Sequence, residues 1–132
     1  MEPQELLKTA KKAAQHSHSP YSQFPVGAAL LTASGKIYTG CNVESSSYGL
    51  TTCAERIAIY KAISEGEREF KAIAITSEKK EYCPPCGACR QVLWDLAKDI
   101  DVILGLENER IEIVKLSQLL PKAFDEGFLP NE

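Results

Sequence analysis

No apolar run in this chain of 132 residues approaches the ~18 residues that a membrane-spanning helix needs. The opening stretch MEPQELLKTAKK lacks the apolar core of a secretory signal, so none is expected there. Charge of one sign is not in excess either: 15 Lys and Arg against 18 Asp and Glu leave a net −3. A mildly acidic balance argues against a nucleic-acid backbone or an anionic membrane as a partner. Internal repeats, low-complexity tracts and linkers are also missing, so one domain over residues 1–132 is expected. With 44% hydrophobic and 25% charged residues, the expectation is a soluble, cytoplasmic protein with a core of its own.

Cysteine is present in an informative arrangement. The five cysteines lie at positions 41, 53, 83, 86 and 89, and an odd count leaves one unpaired in any monomeric disulfide scheme. Three of them fall in the seven-residue run Cys83-Pro-Pro-Cys86-Gly-Ala-Cys89. Without secretory features, such clustering points to metal binding or redox chemistry before structural bridges.

Hydrophobic periodicity predicts the elements. Pro3 to Gln15 has Leu6, Leu7, Ala10, Ala13 and Ala14 at helical spacing behind a first-turn proline. Val26–Thr32 and Lys36–Val43, separated by the turn signal Ser34-Gly35, read as a β-hairpin. Helical spacing returns from Cys53 to Glu65, with Gly66 as its stop. Lys71–Thr76 reads as a buried strand, Cys86–Lys98 as a helix, and Asp101–Leu106 and Arg110–Val114 as two further strands. Leu116–Phe124 reads as a short helix containing Pro121. The order α-β-β-α-β-α-β-β-α is that of an α/β domain with five strands, with parallel pairing in part of the sheet because parallel neighbours need a crossover.

Two segments bear chemistry, each where a loop hands over to a helix: Thr52-Cys53-Ala54-Glu55-Arg56 and Pro85-Cys86-Gly87-Ala88-Cys89-Arg90-Gln91. Cys86 and Cys89, at i and i+3, can turn both sulfurs to one point. If the helix start at Cys53 converges on them, three thiolates surround a tetrahedral zinc and leave one position open, the arrangement of a catalytic site. Helix N-termini favour the thiolate form. Three thiolates outweigh the charge of Zn²⁺, and Arg56 and Arg90 are placed to offset the excess by donating to sulfur. Glu55, two residues after Cys53, can lie beside the open position without coordinating and shuttle protons between water and substrate. A Cys₃ zinc site with a non-ligand Glu is a known signature of zinc nucleobase deaminases, and here Cys53 takes the histidine position.

Over nearly its full length the chain resembles the small, homotetrameric, three-cysteine cytidine deaminases. The segments that carry the likeness are Pro20-Tyr-Ser-Gln-Phe-Pro-Val-Gly-Ala-Ala29, Gly40-Cys-Asn-Val-Glu44, Cys53-Ala-Glu-Arg56, Pro85-Cys-Gly-Ala-Cys-Arg-Gln91 and Leu119-Leu-Pro-Lys-Ala-Phe124. A single CxxC is weak evidence, whereas five segments in this order are specific. The resemblance implies a three-layer α/β fold, a mixed five-stranded sheet flanked by helices, and one Zn²⁺ per subunit. It implies hydrolytic, zinc-dependent deamination of cytidine and deoxycytidine to uridine and deoxyuridine in pyrimidine salvage. It further implies that Phe24 packs on the pyrimidine and sugar, that Asn42 and Glu44 bind the ribose 3′-hydroxyl, and that the Ala54 backbone and Glu55 read the base edge. Tyr48 and Phe124 would enter from neighbouring subunits, so that active sites are shared within a homotetramer. Aromatic faces suit a planar base, and a fixed amide with a carboxylate suits a sugar hydroxyl.

Other readings stay open on sequence alone. Cys83 could close a four-thiolate structural site, although Pro84-Pro85 stiffens its approach and keeps it off the helical turn. A CxxC redox protein would cycle Cys86 and Cys89 and leave Cys53 without a role. A zinc-stabilised binding module would have no use for Glu55. Cys41 reads as a small buried thiol, His16 and His18 as a solvated helix end, and Trp94 as core or interface. Phe128 is an alternative to Phe124 as the stacking ring.

Overall fold

The computed structural model describes residues 1–80 and 82–130. Helix α1 (Pro3–Ala14) starts on Pro3, whose missing N–H would be unsatisfied at this position anyway. A hairpin of β1 (Val26–Thr32) and β2 (Ile37–Cys41) follows, turning at Gly35 in the left-handed region at φ 97°. Helix α2 (Ala54–Ser64), β3 (Phe70–Ser77), α3 (Gly87–Ala97), β4 (Asp101–Gly105), β5 (Ile111–Lys115) and α4 (Leu116–Leu119) complete the order expected from periodicity.

The sheet runs β2-β1-β3-β4-β5. Only β3 and β4 pair in parallel, and α3 supplies their crossover; every other pair is antiparallel. Alternation along the strands sorts side chains to two faces. Ala29, Leu31, Ala72, Ala74 and Ile103 pack under α1 with Leu6 and Ala10. Ala28, Leu30, Ile73, Ile75, Val102 and Leu104 pack on the other face with Ala58, Ile59 and Ala62 of α2 and Leu93 of α3. Helices therefore lie on both faces of a mixed sheet.

Two glycines set how closely the helices approach. A Cβ on Gly27 would stand 1.9 Å from the Ala10 carbonyl oxygen of α1, and one on Gly40 2.3 Å from the Ala54 carbonyl oxygen of α2. Gly40 thus lets the first turn of α2 rest directly on β2.

The last predicted helix is shorter than expected. It ends at Leu119, and Leu120 leaves helical geometry at φ −140° and ψ 69°. The Pro121 ring disfavours a helical conformation in the residue before it. Phe124 consequently lies beyond the helix, before a 3₁₀ turn over Glu126–Phe128. Two further 3₁₀ turns, Tyr48–Leu50 and Glu107–Glu109, leave no periodic signal in the sequence. Strand β2 stops at Cys41, and Val43 instead bridges His18 on one side and Thr52 on the other.

Candidate active site

Cys53 and Cys86 are the N-cap residues of α2 and α3, both in extended conformation, and Cys89 follows one turn into α3. The two helices meet on one face of the sheet, so their starts converge. The Cys53 and Cys86 sulfurs are 4.0 Å apart and those of Cys86 and Cys89 3.4 Å. All three lie within 4.8 Å of one another, the only such metal-competent group among the described residues. Sulfurs held at ~2.3 Å by a tetrahedral zinc are separated by about 3.8 Å, a spacing these distances bracket. Cys83, His16 and His18 are not in this group.

The surroundings fit a zinc–thiolate centre electrically. Arg56 donates from its terminal nitrogen to the Cys53 sulfur at 3.5 Å and to the Thr51 carbonyl at 3.4 Å. Its Nε is buried without a hydrogen-bond partner, the only such side-chain atom among the described residues. A cation under-satisfied in this way is stabilised by the negative charge of a thiolate set. Cys53 is pulled below the usual thiol range, by a hydrogen bond from Cys89 first and by Arg56 next. Cys89, as the donor, is pushed up. Cys83 is raised to about 11 by burial, as expected for a thiol that packs against the core instead of ligating.

Arg90 has a different task from the one its position suggested. Its Nε donates to the Pro85 carbonyl at 2.8 Å and another guanidinium nitrogen to the Leu119 carbonyl at 2.9 Å. It braces the turn that carries Cys86 from behind. The Leu119 carbonyl is available because α4 ends there.

Glu55 is 4% exposed, and burial raises its carboxyl to about 7. A carboxyl poised near neutrality can both accept and release a proton at working pH. Ala54 beside it is fully buried under β2.

The residues expected around a sugar and base are also brought together. Glu44 accepts from the Tyr21 and Ser22 backbone N–H groups at 3.0 and 3.1 Å and from the Ser22 hydroxyl. These bonds, that of the Ser22 hydroxyl foremost, hold its carboxyl below the usual range. Asn42 is buried: its Oδ1 accepts from Val26 N–H at 2.9 Å and from Ser17, and its Nδ2 donates to the Phe24 carbonyl at 3.0 Å. The Asn42 amide therefore ties down the loop that carries Phe24. Val43 exchanges backbone bonds with Thr52 at 2.9 and 3.0 Å, which puts Glu44 alongside the strand entering Cys53. Tyr21, Ser22, Glu44, Tyr48 and Thr51 line a cavity of about 340 Å³. Tyr48 meets Tyr21 edge to face at 5.9 Å and is 73% exposed.

Phe124 and Phe128 stack on each other at 5.4 Å, and both are exposed. Their segment is fastened to α3, where Gln91 donates to the Phe124 carbonyl at 2.7 Å and Trp94 Nε1 to Asp125 at 3.1 Å. Sequence reasoning missed Ser22, Ser17 and Asp125. Ser22 lay inside the quoted Pro20–Ala29 segment, but a serine's partner 22 residues away leaves no local signal.

A three-cysteine centre opened by two helix starts beside a buried, near-neutral carboxyl defines a zinc-dependent hydrolytic enzyme. The family model for the cytidine and deoxycytidylate deaminase zinc-binding region matches residues 1–105, and the chain belongs to that family. It is 49% identical over 125 residues to the cytidine deaminase of Halalkalibacterium halodurans, covering 94% of this chain and 95% of that protein. The cytidine deaminase of Sporosarcina psychrophila is 46% identical over 125 residues, with coverage of 94% and 92%. A crystal structure of cytidine deaminase from Burkholderia pseudomallei superimposes with a TM-score of 0.88 at 44% identity, over 94% of this chain and all 100% of that one. The fold expectation, a mixed five-stranded sheet with flanking helices, is met.

Proposed function

We propose that the protein catalyses hydrolytic deamination of cytidine and deoxycytidine to uridine and deoxyuridine with release of ammonia, as a step of pyrimidine salvage in the cytoplasm. The observation that carries this reading is the convergence of Cys53, Cys86 and Cys89 beside buried Glu55. Its support from relatives is the shared name cytidine deaminase at identities of 46–49%.

In this reading Cys53, Cys86 and Cys89 hold one Zn²⁺ per subunit. When bound, zinc supplies the Lewis acidity that makes water nucleophilic near neutral pH. Glu55 accepts a proton from the attacking water and delivers it to N3 of the pyrimidine as the C4–O bond forms. It then moves the remaining hydroxyl proton to the exocyclic amine. The C4–N bond breaks, ammonia leaves and the C4 carbonyl of the product remains. Burial keeps Glu55 free of competing solvent and near the pKa this two-way traffic needs. Arg56 offsets thiolate charge, and Arg90 steadies the Cys86 turn.

Phe24 would face the pyrimidine, Asn42 and Glu44 the ribose 3′-hydroxyl, and the Ala54 backbone the base edge. Tyr48 and Phe124 would complete a neighbouring subunit's site in a homotetramer, a role supported by their exposure of 73% and 58% on a single chain. The test is ammonia release from cytidine by the zinc-loaded protein beside Glu55→Gln. Turnover that falls by at least ~100-fold in the variant, with zinc retained, is expected. No turnover by the wild type overturns the reading.

A further inference from the structure

Ser22 stands at the joint of the site and is assigned no part in it by the family resemblance. Its hydroxyl donates to Glu44 Oε2 and accepts from the Phe24 backbone N–H at 3.1 Å. Its own backbone N–H donates to the other carboxylate oxygen of Glu44 at 3.1 Å, next to that of Tyr21 at 3.0 Å. Both Ser22 and Glu44 line the 340 Å³ cavity. A hydroxyl that donates once and accepts once has its main capacity used in linking these two neighbours. From this geometry we propose that Ser22 is a positioning residue for substrate affinity, fixing the Glu44 carboxylate against the sugar 3′-hydroxyl while holding the Phe24 loop in register with it.

The inference rests on the proposed function, because it takes Glu44 and Phe24 as the sugar and base contacts. The physical argument is one of preorganisation. A glutamate has three side-chain torsions to freeze, and an exposed carboxylate is otherwise free to turn to water. Three donors from one loop hold it ionised and in one orientation before any ligand arrives. The hydrogen bonds of Ser22 run to Glu44 and Phe24, so its loss weakens binding and leaves the proton steps at Glu55 intact. Removing one hydrogen bond to a charged group corresponds to about tenfold in affinity.

The deciding experiment is steady-state kinetics of zinc-loaded wild type, Ser22→Ala, Ser22→Thr and Glu44→Gln on cytidine and on 3′-deoxycytidine. Ser22→Ala is expected to raise KM for cytidine about tenfold with kcat within about twofold. The rise should be several-fold smaller on 3′-deoxycytidine, which offers Glu44 no 3′-hydroxyl. Ser22→Thr, which keeps the hydroxyl, should restore most of the affinity. In the Glu44→Gln background the Ser22→Ala penalty should shrink, because coupled residues are non-additive. An unchanged KM, an equal penalty on both nucleosides, a fall in kcat in place of a rise in KM, or failure of threonine to rescue would each overturn the inference while wild-type turnover keeps the proposed function standing. Absence of cytidine turnover in the wild type overturns both.

Discussion

Cys53 and Cys86 are 33 residues apart in the chain and sit at the starts of different helices, yet their sulfurs are 4.0 Å apart. The approach exists because α2 and α3 share one face of the sheet and because Gly40 carries no Cβ under the first turn of α2. A metal centre assembled from two helix starts ties those helices together, so ligand binding energy is also folding energy. Cys53→Ala and Cys89→Ala should each lose zinc and thermal stability together. Metal content by elemental analysis and melting by circular dichroism check this. A variant with a full zinc complement would remove that cysteine from the ligand set. Chelation of the wild type should lower its melting temperature in the same way, and zinc should restore it.

Gly40→Ala tests the packing beneath the site. The added methyl would meet the Ala54 carbonyl at 2.3 Å and the Ala58 nitrogen at 2.7 Å, both backbone atoms that cannot rotate away. Overpacking of this kind costs about 3 kcal/mol, and the displaced first turn carries Cys53 and Glu55. Chemical denaturation should show that loss with reduced zinc retention. Gly49→Ala, where nothing lies within 4 Å, should leave stability near wild type.

Arg90→Ala separates bracing from charge compensation. Two backbone carbonyls, those of Pro85 and Leu119, lose their guanidinium partner. A stability loss of about 1–3 kcal/mol is expected, the cost of leaving such acceptors unpaired. Arg56→Ala instead removes the donor to the Cys53 sulfur and should weaken zinc retention against a chelator more than Arg90→Ala does.

How much of this was legible in the sequence follows from range. The continuous apolar run in KAIAIT and the period-three-to-four spacing on the helices are local signals, and they carry the element order and parallel pairing in part of the sheet; that the parallel pair is β3–β4 is seen only in the structure. The Cys86–Cys89 spacing is local as well, and Cys53-Ala-Glu55 placed a carboxyl beside a thiol. Arg90 was misjudged because adjacency to Cys89 in the chain says nothing about which way a helical side chain points; Leu119, its partner, is 29 residues on. The Asn42 amide and the Ser22 hydroxyl likewise find partners 16 to 25 residues away. The end of α4 was readable, since Pro121 forbids the helix that the apolar spacing through Phe124 suggested.

The fastening of the carboxy-terminal segment gives a pH dependence with a definite sign. Asp125 is held below its ordinary value of 3.8, by the Gly127 backbone N–H first and by Trp94 Nε1 next. Glu126 is likewise lowered, by its pairing with Lys98. A carboxyl depressed in the folded state contributes stability that is complete above its ordinary value and lost as pH falls through the depressed one. The segment bearing Phe124 and Phe128 should therefore stay docked on α3 at neutral pH and loosen as pH falls below the ordinary values of Glu126, 4.5, and then of Asp125, 3.8. Trp94 is the only tryptophan, so its fluorescence reports the contact directly. Emission should change as pH is lowered through that range, and Asp125→Asn should show the undocked signal already at neutral pH or lose the transition. Persistence of the wild-type transition in Asp125→Asn would assign it to another group and remove the Asp125–Trp94 bond as the fastening.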